Sequence, residues 1–166
     1  MKPFQRKING DLEGNVKITV KRIRAFLIIY GIANVGLILY GLLALTMPNV
    51  LLDSFSLHVY QFPSDAIVAV DYLSALFRLL GFLNLILGIL GLWLLWRYRT
   101  SRQTWLAYMI IASSILSYLG PVIFDNTVGN IGIFEIVEHV IFIAMVFSGI
   151  TMLRDMRNFE QGDSNG

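Results

Sequence analysis

Four long apolar segments set the strongest limit on what this chain can fold into. They cover about residues 25–47, 73–96, 104–124 and 131–153. A helix needs roughly 20 mainly apolar residues to cross a bilayer, and each segment is long enough. Backbone groups in lipid must be bonded within their own segment, and these segments are too continuous for barrel strands. The sequence therefore predicts an all-α integral membrane bundle of four transmembrane helices.

Composition supports a single membrane domain and excludes several kinds of site. The chain is 56% hydrophobic and 14% charged, whereas soluble domains are about 45–50% apolar and about 25% charged. The absence of cysteine excludes disulfides, thiolate metal sites and cysteine nucleophiles. No nucleotide-binding loop or hydrolase nucleophile elbow is present. The bilayer is the expected partner, and no nucleic acid is expected.

The placement of lysine and arginine predicts the orientation of the helices. Twelve of the 13 basic residues lie before the first segment, between the second and third, or after the fourth. The two other connections hold acidic residues instead: Asp53, Asp65, Asp71 and Asp125. Because positive loops stay in the cytoplasm, we expect four antiparallel helices with both termini cytoplasmic, in a bacterial inner (plasma) membrane.

The same pattern divides the chain into three parts. A polar cytoplasmic segment, residues 1–23, is expected to precede the transmembrane domain, residues 24–155. A disordered cytoplasmic tail is expected over residues 156–166. The outer loop, residues 48–72, is too apolar to be free, and we expect it to lie on the membrane interface or to cap the bundle.

Titratable residues inside the apolar segments are the candidates for function, since charges are costly in a bilayer. Arg78 lies 19 residues from Arg97, and Glu135 lies 19 residues from Arg154. At 1.5 Å per residue, each is therefore about 28 Å from the inner headgroups. The equal depth predicts that Arg78 and Glu135 form an ion pair.

Helical periodicity extends this pair into a predicted polar pocket in the outer half of the bundle. An inward stripe of the second segment joins Arg78 to the glycines and to Asn84, and Asn84 is expected to bond Asn34 on the first segment. Depth places Tyr118 near His139. The pocket is predicted to contain Arg78, Asn84, Tyr118, Glu135, Glu138 and His139, with Asp71 and Asp125 at its mouth.

Several functions are compatible with this pocket. We prefer an accessory, non-enzymatic protein that binds a small ligand there. One alternative is a redox subunit that handles a quinone cofactor, with His139 as proton carrier. Another is a small transporter protomer that acts as a dimer. A homodimer or a partner membrane subunit is the expected protein partner. The polar groups could instead have a purely structural role and fix the register of the helices without binding a ligand. No metal site is predicted, because one segment supplies all the ligands and Arg78 would repel a cation.

Three stretches resemble a known group of proteins: FRLLGFLNLILG in the second segment, GPVIFDN at the end of the third, and FEIVEHVIFIAMVFSGI in the fourth. Over residues 22–155 the chain resembles the small four-helix bacterial membrane proteins of the DoxX-like and BphX-like families, several of them classed only as domains of unknown function. For DoxX-type proteins, the resemblance implies a link to quinol oxidation and membrane redox systems. The chain departs from the pattern in its polar N-terminal segment and in Glu138 and His139. The family-type positions implied are Arg78, Gly81, Gly88, Asp125 and Glu135.

Overall fold

Four long helices make up almost all of the structure. A computed structural model describes residues 3–52, 67–128 and 132–163. Its long helices are α1 (Pro3–Thr46), α2 (Ile67–Ser101), α3 (Thr104–Val128) and α4 (Ile133–Asp163). Residues 48–52 are also helical, and the described part of the chain contains no strand. The predicted all-α class is confirmed.

Each long helix contains a stretch that suits a membrane. Val20–Thr46, Ile67–Ser101, Thr104–Thr127 and Glu135–Arg157 are long and apolar enough to cross one. Between 22% and 33% of the residues in the most apolar window of each helix are buried inside the bundle. Most of the apolar surface therefore faces outward, as lipid-facing surface does. These properties describe a multi-pass membrane protein.

The helices extend beyond the predicted boundaries. α1 begins at Pro3, so the polar N-terminal segment continues into the first apolar segment as one helix. α2 begins at Ile67 rather than near residue 73. α4 ends at Asp163, so residues 156–163 are helical where a disordered tail was predicted. Nucleation is the costly step of helix formation, and each residue that extends an existing helix adds one backbone hydrogen bond. A helix that begins in an apolar segment can therefore continue into the polar residues beside it. Most of the predicted outer loop, residues 53–66, lies outside the described residues.

The arrangement of the helices around the bundle is asymmetric. α1 contacts α2, α3 and α4, with the largest contact to α2. α3 also contacts α2 and α4. Among the described residues, α2 and α4 do not contact each other. α1 and α3 therefore lie on the short diagonal of the bundle and α2 and α4 on the long one, which decides which polar residues can meet.

Glycines bring the backbones of α1 and α2 into contact. A Cβ atom on Gly41 would lie 2.7 Å from the Gly81 carbonyl oxygen, and one on Gly88 would lie 2.7 Å from the Asn34 carbonyl oxygen. A Cβ atom on Gly91 would overlap the Asn34 side-chain amide. Small residues allow such close approach in lipid. Gly41, Gly81, Gly88 and Gly91 form what we call the glycine interface, and the predicted inward orientation of the α2 glycines is confirmed.

Aromatic side chains fill the core at the end of the bundle opposite the acidic residues. Phe26 packs against Tyr30 with 4.6 Å between ring centroids. It also meets the edge of Tyr98 at 5.9 Å. The Tyr30 hydroxyl donates to the Met145 carbonyl oxygen at 2.9 Å, which links α1 to α4. Because all three rings are buried, this cluster joins α1, α2 and α4 around a common core.

Two irregular features mark α3 and its connection to α2. Pro121 lies inside α3. Only Arg102 and Gln103 separate α2 from α3. Arg102 has a φ angle of 56°, a left-handed backbone conformation that glycine usually supplies at helix ends. The short connection makes α2 and α3 neighbours.

Candidate functional site

A tyrosine hydroxyl fixes α3 against α1 beside the acidic residues. Tyr118 is buried, and its hydroxyl donates to the Ala33 carbonyl oxygen at 2.7 Å. Gly36 on α1 lies close to this contact, since a Cβ atom there would be 3.2 Å from the Tyr118 hydroxyl. The α3 helix is thus held close to α1 at the depth where the titratable side chains begin.

Three carboxylates from two helices lie within electrostatic range of one another next to this contact. Glu138 on α4 interacts electrostatically with Asp125 on α3 and with Glu135 one turn earlier on its own helix. Asp125 is buried, and Glu135 and Glu138 are partly buried. Asp125 and Glu135 are both acidic, so ionising them together with Glu138 costs free energy. We call Asp125, Glu135 and Glu138 the carboxylate cluster.

Two tyrosines line the carboxylate cluster on the α1 and α3 sides. The Tyr40 hydroxyl on α1 interacts electrostatically with Glu138, Asp125 and Glu135. The Tyr118 hydroxyl interacts with Glu138. The cluster therefore lies between α1, α3 and α4, and α2 contributes none of these groups.

His139 forms a separate polar contact beside the carboxylates. The Asn126 side-chain nitrogen Nδ2 donates to the Val122 carbonyl oxygen at 2.7 Å, which fixes the orientation of the amide. The same nitrogen lies 2.7 Å from His139 Nε2. His139 Nδ1 lies 2.6 Å from the Glu135 carbonyl oxygen. Both contacts are satisfied by the neutral tautomer that carries its proton on Nδ1, because Nε2 then accepts from the amide.

Glu135 also stabilises the beginning of α4. Its Oε2 atom accepts a hydrogen bond from the Gly132 backbone nitrogen at 2.9 Å. Glu135 is the acidic residue in the first turn of that helix. A carboxylate there interacts favourably with the helix dipole and with backbone N–H groups that lack helical partners. Glu135 thus has a structural role that Glu138 does not share.

We predicted an ion pair between Arg78 and Glu135, but the described residues do not form it. The ion pair that they do form joins Arg22 to Asp155. Arg78 is exposed on α2, and Glu135 belongs to α4, which does not contact α2 in the described part of the chain. The equal depth of the two residues is compatible with this result, because depth does not determine the order of helices around a bundle. Arg78 is therefore not brought together with the carboxylate cluster.

The other predicted members on α2 also lie away from the cluster. Asp71 is exposed, and Asn84 is partly buried. Asn34 on α1 does not bond Asn84, because its Nδ2 atom donates to the Tyr30 carbonyl oxygen on its own helix at 2.7 Å. The remaining atoms of that amide pack against Gly91. Of the predicted residues, the structure groups the five on α3 and α4: Tyr118, Asp125, Glu135, Glu138 and His139.

Two members of the site were not predicted. Tyr40 lies near the end of an apolar segment, where aromatic residues usually mark the membrane interface. Asn126 lies in the stretch DNTVGN, which is typical of a turn. The position of Asn126 next to Asp125 did not indicate a contact with His139. That contact depends on how α3 and α4 approach each other, which the sequence does not show.

The described residues contain no group of three or more histidine, aspartate or glutamate side chains arranged to hold a metal ion. The carboxylates are spread along α3 and α4, and both His139 ring nitrogens are engaged by Asn126 and Glu135. The arrangement can instead accept hydrogen bonds and balance a positive charge. No family model, curated protein or solved structure matches this chain.

Proposed function

We propose that this is a multi-pass protein of a bacterial inner membrane that binds a small positively charged ligand at the carboxylate cluster. The proposal includes four antiparallel helices with both termini in the cytoplasm, following the basic flanks in the sequence. It places the cluster in the outer half of the membrane. The role is accessory and non-enzymatic, and the resemblance to DoxX-like and BphX-like proteins is part of the same proposal.

One observation carries the ligand assignment: Glu138 is partly buried at membrane depth, and the two described residues that act on its charge, Asp125 and Glu135, are both acidic. Titratable residues at membrane depth are costly and usually serve function. A cationic ligand would lower that cost by balancing the carboxylates. The Tyr40 and Tyr118 hydroxyls lie beside the same charges and would provide polar or aromatic contacts to an organic cation.

The quinone alternative has less support from the geometry. It needs His139 as a proton carrier and Arg78 as a hydrogen-bond donor. Both His139 ring nitrogens already contact protein atoms, and Arg78 lies on a helix that does not contact α4. A quinone would have to displace Asn126 or the Glu135 carbonyl before it could exchange a proton with the ring.

Native mass spectrometry of the full chain, extracted gently from its own membrane, tests this function. We expect a stoichiometric cationic small molecule on the wild type. It should be lost in Glu138→Gln and retained in Asp71→Asn, a matched carboxylate-to-amide change on α2 outside the cluster. Retention of the molecule by Glu138→Gln would contradict the site, and a bound quinone would favour the redox alternative.

A further inference from the structure

A groove between α1 and α2 lies at the end of the bundle opposite the carboxylate cluster. The groove has a volume of about 550 Å³. Its apolar walls include Leu27, Ile28, Leu92 and Trp96, and three arginines line the same groove: Arg24, Arg99 and Arg102. The groove begins where the glycine interface ends. Gly31 also lines it, and a Cβ atom added there would find no atom within 4 Å.

In the part of the chain that the structure describes, none of the three arginines forms an ion pair with a carboxylate. All three are exposed. Among the described residues, the ion pair joins Arg22 to Asp155, at 2.5 Å, and involves none of the groove arginines. Three positive charges therefore converge on one opening. Such an arrangement attracts an anionic group.

The backbone at Arg102 supports a role beyond closing the turn. Its φ angle of 56° is unfavourable for any residue with a Cβ atom, and glycine would form this turn without that cost. Its backbone nitrogen donates to the Tyr98 carbonyl oxygen at 2.9 Å. The guanidinium lies over the Tyr98 ring, 6.0 Å from its centroid. An arginine at this position is held in place beside the other two.

The dimensions of the groove define its occupant. Gly31 lies seven residues beyond Arg24 on α1, and Leu92 lies seven residues before Arg99 on α2. At 1.5 Å per residue, the apolar walls extend about 10 Å from the arginines into the membrane. An occupant must therefore carry negative charge at one end and a hydrocarbon chain at the other. A free phosphate would leave the apolar walls unused.

We propose that this groove binds an anionic phospholipid from the leaflet at the basic end of the bundle. The phosphate contacts Arg24, Arg99 and Arg102, and one acyl chain lies along α1 and α2 over Gly31. Trp96, which is 60% exposed, borders the chain at the level of the membrane interface. This site is independent of the carboxylate cluster, so the two proposals can succeed or fail separately.

Lipid retention by the full chain tests the site. Delipidated protein in neutral detergent is mixed with equal amounts of phosphatidylglycerol and phosphatidylcholine, and bound lipids are counted by native mass spectrometry. We expect the wild type to retain phosphatidylglycerol preferentially. Arg24→Gln combined with Arg99→Gln should weaken phosphatidylglycerol binding about 25-fold, at about five-fold for each arginine. Glycerol phosphate, which has no acyl chain, should not be retained.

A steric variant tests the path of the acyl chain. Gly31→Ile fills open space, so it should fold normally but lose phosphatidylglycerol. Gly120→Ile is the matched control, because Gly120 also has no atom within 4 Å of an added Cβ and lies on α3 outside the groove. Full retention by Gly31→Ile would overturn the proposal.

Two further comparisons distinguish a specific lipid-binding site from general attraction of lipid to surface charge. Arg97→Gln with Arg154→Gln removes the same charge outside the groove and should leave phosphatidylglycerol binding within two-fold of the wild type, a difference far below the roughly 25-fold expected in the groove.

Arg102→Gly should raise the unfolding temperature while lowering lipid retention, because it relieves the backbone and removes a phosphate contact. An equal loss in the control pair, or retained glycerol phosphate, would overturn the proposal.

Discussion

α1 meets α2 and α4 by different means. Against α2 it uses backbone, with glycines on both helices and no space for a Cβ atom at Gly41, Gly81 or Gly88. Against α4 it uses side chains, among them the hydrogen bond from Tyr30 to the Met145 carbonyl. The backbone contact leaves no volume for a ligand at the glycine interface itself, and the groove between the same two helices begins only beyond it. The side-chain contact leaves room for polar groups, and the carboxylate cluster lies on that side of α1.

The glycine interface should give the largest effect when it is broken. Gly41→Ile places a side chain against the α2 backbone, and we expect a loss of about 3 kcal/mol in the free energy of unfolding. Gly31→Ile on the same helix should change it by less than about 0.5 kcal/mol, because that position is open. Unfolding by denaturing detergent measures both. Similar losses at the two positions would mean that the close backbone approach is wrong.

The tyrosine contacts on the other side of α1 should each have an intermediate effect. Tyr30→Phe and Tyr118→Phe remove hydroxyls that donate to buried carbonyl oxygens at 2.9 Å and 2.7 Å. Each should lower the free energy of unfolding by about 1 kcal/mol. Tyr108→Phe is the control, since Tyr108 is 49% exposed and should show almost no change. A loss at Tyr108 equal to the other two would contradict the assignment.

Within the carboxylate cluster, two matched variants should change stability in opposite directions. Glu138→Gln removes a charge with two acidic neighbours, so the free energy of unfolding should rise by about 1 kcal/mol. Glu135→Gln removes the charge from the first turn of α4, so stability should fall by about 0.5 kcal/mol. The same detergent unfolding assay compares them. A gain for both would show that Glu135 does not stabilise the helix start.

The ion pair at the basic end should contribute little. Arg22 and Asp155 approach to 2.5 Å, but the Arg22 side chain is 51% exposed. A double-mutant cycle of Arg22→Gln and Asp155→Asn should give a coupling energy of about 0.5 kcal/mol. A coupling near zero would mean that the pair does not join α1 to α4 in solution.

The smallest effect is expected for Arg78 and Glu135. Because the described residues of α2 and α4 do not contact each other, the effects of Arg78→Gln and Glu135→Gln on unfolding should add to within about 0.3 kcal/mol. A double-mutant cycle measures this directly. Coupling above about 1 kcal/mol would support the ion pair predicted from depth and would contradict the separation of α2 from α4.

Patterns along one helix predicted this structure better than patterns between helices. Apolar length located the four helices, and periodicity identified Gly81, Gly88 and Gly91 as an inward face. Asp71 and Arg78 were predicted to share that face, but both are exposed. Periodicity along α4 also predicted that Glu135 and His139 share a face, and the His139 ring does contact the Glu135 carbonyl. These features depend on residues that are close in sequence, so a regular helix determines them.

The arrangement between helices could not be predicted in the same way. The distance of each residue from the basic flanks placed Arg78 and Glu135 at the same depth in the membrane. No sequence pattern indicated that α2 and α4 lie on the long diagonal of the bundle. Tyr40 and Asn126 were missed for the same reason, since their partners belong to other helices. The asymmetry follows from the glycine interface, which draws α2 toward α1 and leaves α4 to pack on the other side.

Pro121 gives the carboxylate cluster a mechanical property. Proline has no N–H, so the helical hydrogen bond to the Ser117 carbonyl oxygen is missing, and the pyrrolidine ring crowds that carbonyl. Gly120 precedes it and adds backbone freedom. Asp125 and Asn126 follow Pro121 on the last turns of α3, while Glu138 and His139 lie on unbroken helix. One wall of the cluster therefore belongs to a helix with a missing backbone hydrogen bond and the other to a continuous helix, so we expect the Asp125 side to shift more readily than the Glu138 side when a ligand binds.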